Sequence, residues 1–159
     1  MALIGTFTSG SVLTAAELNQ FNNCTILSGA NAQVIANGTV TAVTFGAGTE
    51  TLDVSNWHST SANTARITPT IAGYYLAIAR CTFNRVGAGV RFANFIGKNG
   101  GYGEAENGFL GGNYPSPCCS VMVYMNGTTD YMESLCYQET GGNVNLLRQE
   151  FSVMLLRTA

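Results

Sequence analysis

Few residues in this chain could support acid–base or hydrolytic chemistry. His58 is the single histidine and follows Trp57 in a polar stretch, with no Gly-x-Ser-x-Gly motif and no Ser–His–Asp order around it. Glu104 and Glu106 lie two residues apart in a glycine-rich stretch, whereas a glycosidase needs two carboxylates held at a fixed separation. We therefore predict no catalytic residue and expect a non-enzyme. The alternative that a carboxylate pair would support is a small polysaccharide hydrolase.

Metal-binding residue types are present, but their spacing predicts no metal site. Glu50, Asp53 and His58 match no calcium-binding loop, and the adjacent Cys118 and Cys119 do not have the spacing of a zinc site. The chain has five cysteines, an odd number that does not suggest a disulfide framework. We expect the cysteines to behave as small buried apolar side chains, with no metal or other cofactor.

Aromatic residues in two polar stretches, 49–64 and 99–117, are candidates for ligand contact. The second stretch is rich in Gly and Asn, and aromatic side chains on such loops are typical of surfaces that contact a glycan or a protein partner. The alternative is that these side chains cover an end of the fold. The candidate residues are Trp57, His58, Tyr102, Phe109 and Tyr114.

The composition of the chain limits the classes of protein to which it can belong. A chain of 159 residues is long enough for one domain and a short arm. Only 10% of its residues are charged, and its seven basic residues form no cluster, which argues against a nucleic-acid partner. No apolar run approaches the roughly 20 residues of a membrane span, and the N-terminus lacks the pattern of a signal peptide. We expect synthesis and assembly in the cytoplasm, with no membrane insertion.

The last third of the chain has the pattern of three strands. Residues 121–125 run into Asn126-Gly127, and residues 131–138 follow, which predicts a β-hairpin. In the final strand, residues 151–156, apolar side chains alternate onto both faces. One face can cover the core of the domain, and we expect the other to be covered by another copy of the chain.

The middle of the chain continues the β pattern. Residues 39–45, 74–83 and 90–96 are predicted strands, and Tyr75 begins a buried face in the second of them. Residues 99–117 are predicted to be the longest irregular loop. Short strands separated by turns predict an all-β sandwich or barrel, and eight strands in two sheets would make a jelly roll.

The first residues differ from the rest. Thr14 followed by Glu17 forms a capping box, and Leu13 and Leu18 occupy the staple positions, so a short helix is predicted at about 14–22. Two turns do not fold alone, so this segment must dock on something. We interpret residues 1–32 as an attachment arm and residues 33–159 as the jelly-roll domain, the alternative being that the arm packs on its own domain.

The order of several short motifs resembles the jelly-roll family that includes the globular head of complement component q and the tumour necrosis factor domain. The phage and bacterial branch is most similar, because it favours a Lys-Asn-Gly turn. The motifs are Arg66-Ile67-Thr68-Pro69, Ala72-Gly73-Tyr74-Tyr75, Lys98-Asn99-Gly100, Val121 to Gly127, Asp130-Tyr131 and Phe151 to Leu155. The family forms compact trimers, so the resemblance implies a homotrimer. The residues expected in the trimer interface and core are Tyr75, Val123, Met125, Phe151, Val153 and Leu155.

The N-terminal stretch 10–19 is similar to a start seen in phage tail and virion proteins, where Leu-Thr-Ala-x-x-Leu-Asn recurs. Together with the jelly roll, it implies a structural protein of a bacteriophage virion. The first hypothesis is a trimeric capsid decoration or head-fibre protein that docks on the capsid through its arm. The alternative is a tail-fibre or tail-tip head that recognises a host surface glycan through the loops.

Overall fold

Eleven strands in two antiparallel sheets make up the described part of the chain, which comprises residue 12 and residues 23–30, 32–84, 90–110 and 112–159 of a computed structural model. These described residues include no helix. The strands are β1 Cys24–Gly29, β2 Val34–Ile35, β3 Thr41–Ala42, β4 Glu50–Asp53, β5 Arg66–Ile67, β6 Gly73–Phe83, β7 Arg91–Lys98, β8 Ala105–Leu110, β9 Cys118–Met125, β10 Met132–Gln138 and β11 Val144–Thr158.

The two sheets pack face to face as a sandwich. The first sheet has the order β4-β1-β11-β6-β9, with β2 also paired to β11. The second has the order β3-β10-β7-β8, with β5 also paired to β10. Every pairing is antiparallel. This arrangement confirms the predicted all-β sandwich.

The long antiparallel pair of β6 and β11 organises the core. Alternate residues of β6 are buried from Gly73 to Phe83, as the period of two in the sequence predicts. Phe151 of β11 stacks on Phe45 with ring centroids 6.5 Å apart, and Phe83 meets Phe92 of the second sheet at 4.9 Å. The space between the sheets is therefore filled by aromatic and aliphatic side chains from both.

The predicted hairpin at Asn126-Gly127 is wrong. β9 pairs with β6 in the first sheet, whereas β10 pairs with β7 in the second, so the turn carries the chain from one sheet to the other. The Asn126 Oδ1 atom accepts backbone hydrogen bonds from residues 128, 129 and 130. These side-chain bonds close a wider turn than a two-residue hairpin loop.

Two predicted boundaries also need correction. β1 lies inside the stretch assigned to the arm, because Thr25 and Leu27 are buried in the first sheet, and the domain therefore begins before residue 33. β8 lies inside the stretch predicted to be a loop, where it pairs with β7 despite its polar composition. The predicted helix and its residues Leu13, Thr14, Glu17 and Leu18 lie outside the described residues.

Candidate functional site

The six residues expected in the trimer interface and core all belong to the core of the single chain. Tyr75, for example, is fully buried, and its hydroxyl donates a 2.6 Å hydrogen bond to the carbonyl of Ile71. Burial also raises the pKa of Tyr75 well above its ordinary value. The six are Tyr75, Val123, Met125, Phe151, Val153 and Leu155. They face the second sheet, so their sequence neighbours face outward.

These neighbours form an outward apolar surface on the first sheet, called here the outer apolar face. Strand alternation places them on one side of β1, β4, β6, β9 and β11. Most of them are exposed, and Met122 is 72% exposed. The outer apolar face consists of Ile26, Leu52, Tyr74, Leu76, Ile78, Met122, Tyr124, Met154 and Leu156.

Strand register makes this face continuous. Leu76 of β6 lies opposite Met154 of β11 on one side and Met122 of β9 on the other. Tyr74 lies opposite Tyr124, and their rings meet edge to face with centroids 5.5 Å apart. A contiguous apolar surface of this kind is a candidate interaction site, unlike apolar residues scattered singly over a surface.

A hollow of about 200 Å³ lies within the outer apolar face. It forms where the small side chain of Ser152 lies between the larger ones of Ile26 and Ile78, its partners in register. Cys24, Leu76 and Met154 also contribute to its lining. The hollow can accept an apolar side chain from another molecule.

A charged row borders the face. Arg80 and Glu150 are partners in register, with the Arg80 Nε atom 3.5 Å from a Glu150 carboxylate oxygen. Arg148 approaches the other oxygen at 3.6 Å. These side chains are partly exposed, so the ion pairs contribute little stability. They mark the boundary at which the outer apolar face ends.

The edge of the sheet next to this face is protected. Lys98 donates to the Tyr124 carbonyl at 2.7 Å, and Asn107 donates to the Cys118 carbonyl at 2.8 Å. Because both ends of the strand are capped by side chains, this edge is a poor template for adding another strand. The available surface is the face of the sheet.

Trp57 and His58 do not form the predicted exposed site. Trp57 is 2% exposed and His58 is 8% exposed. The His58 Nδ1 atom lies 2.7 Å from a Glu50 carboxylate oxygen, and its Nε2 atom lies 3.1 Å from the carbonyl of Thr64. Both ring nitrogens are therefore engaged in holding the loop.

Asp53 is the residue in the sequence that could have indicated the burial of Trp57 and His58. Its carboxylate accepts backbone hydrogen bonds from Trp57 and His58, each at 3.0 Å, and a 2.6 Å bond from the Thr25 hydroxyl. An aspartate four and five residues before the two amides forms a local turn of this type. The turn directs both rings inward.

The remaining aromatic candidates lie apart. Tyr102 is 57% exposed and follows β7 at the end of the sandwich where the β9–β10 turn lies. Tyr114 is exposed at the opposite end, where the carbonyl of Pro115 accepts a hydrogen bond from the Phe83 amide. Phe109 lies in β8. The two exposed tyrosines therefore do not form one binding surface.

Three of the five thiols are buried together. Cys81, Cys119 and Cys136 surround the side chain of Asn94, whose Oδ1 atom accepts a 3.4 Å bond from the Cys119 thiol. Desolvation raises the pKa of Cys119 to about 12 and that of Cys136 well above its ordinary value. Among the described residues, no group of three or more His, Cys, Asp or Glu side chains is placed to hold a metal ion.

The sequence predicts only part of the outer apolar face. Residues 151–156 are predicted to be apolar on both faces, and Met154 and Leu156 lie on the outer one. Met122 was not predicted, because residues 121–125 were expected to form a hairpin rather than to belong to a sheet with one exposed face. In the described part of the chain, no helix is long and apolar enough to span a membrane.

Comparisons with known proteins give structural matches alone. No protein-family profile matches the chain, and no curated protein matches it. The globular domain of zebrafish complement 1qA is similar, with a TM-score of 0.60 and 11% identity, over 86% of this chain and 99% of that chain.

Murine APRIL is also similar. Its structure at pH 8.5 gives a TM-score of 0.53 at 14% identity, over 83% of this chain and 99% of that chain. Its structure at pH 5.0 gives a TM-score of 0.51 at 12% identity over the same shares. Identities this low establish the fold alone. The chain therefore has the jelly-roll fold of the complement 1q globular domain and of APRIL.

Proposed function

We propose that this protein is a non-catalytic structural module that assembles as a homotrimer through its outer apolar face. The observation that supports the proposal is that apolar side chains form continuous rows across that face, from Ile26 on β1 to Met122 on β9. Exposed apolar side chains in register favour burial against a matching apolar surface. A second and a third copy of the chain each supply such a surface.

The size of the face supports this occupant. Five strands, each about 4.8 Å wide, span about 24 Å, and residues Tyr74 to Ile78, which end before the charged row, extend about 17 Å. The flat area is therefore roughly 400 Å², and protruding side chains increase the accessible area. Stable interfaces bury about 800 Å² on each partner, and the face supplies roughly half of that area, which fits an interface with an apolar centre and a polar rim.

The test is the solution mass of the purified chain by light scattering. We expect about 50 kDa, three times the chain mass of 16.8 kDa. Ile78→Glu places a charge in the centre of the face and is expected to give a chain of monomer mass. Tyr102→Glu, at an exposed aromatic residue outside the face, is the matched control and should remain trimeric. A wild-type monomer would refute the proposal.

We further propose, from the N-terminal pattern in the sequence, that the trimer decorates a phage capsid and that the arm docks on it. Because β1 begins at Cys24, the arm deletion that leaves the sheet intact removes residues 1–22. The shortened trimer is expected to keep its mass and melting temperature and to lose binding to undecorated capsids. Retained capsid binding would contradict docking through the arm.

The exposure of Tyr102 and Tyr114 favours a second candidate, a tail protein that recognises a host surface glycan. Their positions at opposite ends of the sandwich mean that a glycan would contact one of them. Under this candidate, either Tyr102→Ala or Tyr114→Ala abolishes binding to host cells while the 1–22 deletion leaves it intact. The opposite result favours decoration.

A further inference from the structure

Met122 is the most protruding side chain of the outer apolar face. It is 72% exposed and lies on β9, the edge strand of the first sheet. Its side chain has the outward direction shared by Leu76 and Met154 in the same row. A large, flexible apolar side chain that is exposed to water at a sheet edge is stabilised when it is buried against another apolar surface.

The hollow in the same face is centred on β11, two strands from β9. Its lining comes from β1, β11 and β6, and includes Cys24, which is in the row of Met154, Leu76 and Met122. Three strand spacings place the backbone of Met122 about 14 Å from that of Cys24. Leu76 lies between Met122 and the centre of the hollow, and Met122 is not part of the lining, so it does not fill the hollow of its own chain.

Shape and chemistry match between the two features. The hollow has a volume of about 200 Å³ and an almost wholly apolar lining, and it is open on the outward side. Methionine is unbranched and adapts to irregular apolar gaps. An empty apolar hollow lacks the packing contacts that an inserted side chain would restore.

We propose that Met122 of each copy inserts into the hollow of the next copy. This inference rests on the homotrimer of the proposed function and names the contact that specifies it. In the trimer of the proposed function this contact runs head to tail, from each copy to the next, whereas a reciprocal contact between two copies would give a two-fold dimer. A head-to-tail contact closes into a ring when the rotation between copies is 120°.

Disulfide trapping tests the contact with a cysteine that the chain already has. In a Cys118→Ser background, which removes the exposed thiol of β9, Met122→Cys places a thiol on the protruding position. A disulfide requires Cα atoms within about 7 Å, so Cys24 and a cysteine at position 122 cannot bond within one chain. Diamide then takes two hydrogens from the two thiols, the S–S bond forms, and diamide is reduced to the hydrazine.

The expected result is a ladder of covalent dimer and trimer on a non-reducing gel, collapsing to one band with dithiothreitol. Adding Cys24→Ser should abolish the ladder. Tyr102→Cys in the same Cys118→Ser background is the matched control and should give no trimer. Light-scattering masses measured before oxidation distinguish a failure of the Met122 contact from a failure of the homotrimer proposal.

A trimer mass with no cross-link above the control overturns the Met122 contact and leaves the trimer standing. A wild-type monomer mass overturns the proposed function itself. A ladder that stops at dimer overturns the three-copy ring.

A second variant covers the case in which the cysteine substitution weakens assembly. Met122→Ala is expected to raise the protein concentration at which the trimer dissociates by at least tenfold, measured by sedimentation over a dilution series. Tyr102→Ala should change it by less than threefold. Equal effects of the two substitutions would overturn the proposal.

Discussion

Asp130 shows how a single buried carboxylate holds the connection between the two sheets. It accepts hydrogen bonds from the Asn99 side chain at 2.7 Å and from the Asn126 amide at 2.9 Å, and Lys98 lies 2.9 Å away. The Asn99 hydrogen bond is the largest contribution that lowers the pKa of Asp130 below its ordinary value, and Lys98 adds to it. The carboxylate therefore ties β7 to the turn after β9.

This environment predicts an acid-sensitive contribution to stability. Because the pKa of Asp130 is lower in the folded state than in the unfolded chain, its contribution is complete above the unfolded pKa and is lost as pH falls through the folded pKa. Asp130→Asn should cost roughly 2 kcal/mol at pH 7 and progressively less below about pH 4. Urea unfolding of both chains at pH 7 and pH 3 measures this. Glu104→Gln, at an exposed loop residue, should show no such difference.

The cysteines give a second prediction for single residues. Cys118 is exposed and Cys24 is partly buried, whereas the other three thiols are buried, with raised pKa values at Cys119 and Cys136. Since the thiolate is the reactive form, a thiol reagent at pH 8 should modify at most two cysteines per native chain. All five should react in denaturant. Modification of three or more under native conditions would contradict the described core.

At the scale of elements, the sequence predicted strands better than it predicted their partners. The alternation of β6 and the two apolar faces of β11 were readable because burial follows a period of two. The sheet to which β9 and β10 belong was not readable, since alternation specifies a face and not a neighbouring strand. β8 was missed because its strand is polar, and the inward turn at Trp57 was missed because it depends on contacts of Asp53.

The turn between β9 and β10 predicts a large effect at one glycine. Gly127 has a φ of 72°, and an added Cβ atom would lie 2.3 Å from the amide nitrogen of Ala72. Gly141, in the turn between β10 and β11, has a φ of 86° and open space around the same position. Gly141→Ala should therefore cost only the conformational penalty of about 1 kcal/mol, and Gly127→Ala should cost clearly more.

Thermal unfolding of the two glycine variants measures that difference. The paired design separates backbone conformation from steric contact, because both glycines have positive φ and only one is crowded. Equal losses of stability would show that the contact between the turn and residues 71–72 is not maintained in solution.

Over the whole molecule, a polar surface with few charges contrasts with the outer apolar face. The chain has only 10% charged residues, and among the described residues seven of the thirteen exposed large apolar side chains lie on the outer apolar face. A monomer gains nothing from collecting apolar groups on one face. A trimer gains burial of each face against two others, which links the composition of the chain to its proposed assembly.

If folding and assembly are coupled, the melting temperature must depend on protein concentration. For three chains that unfold together, a hundredfold increase in concentration adds two-thirds of RT ln 100, about 1.8 kcal/mol per chain. At 2–4 °C per kcal/mol for a domain of this size, the expected rise in melting temperature is roughly 5 °C. Scanning calorimetry from 2 to 200 μM measures it, with Ile78→Glu as the control whose lower melting temperature should not change with concentration. A wild-type melting temperature that is constant over this range would show that each chain folds without its partners, and the outer apolar face would then need another occupant.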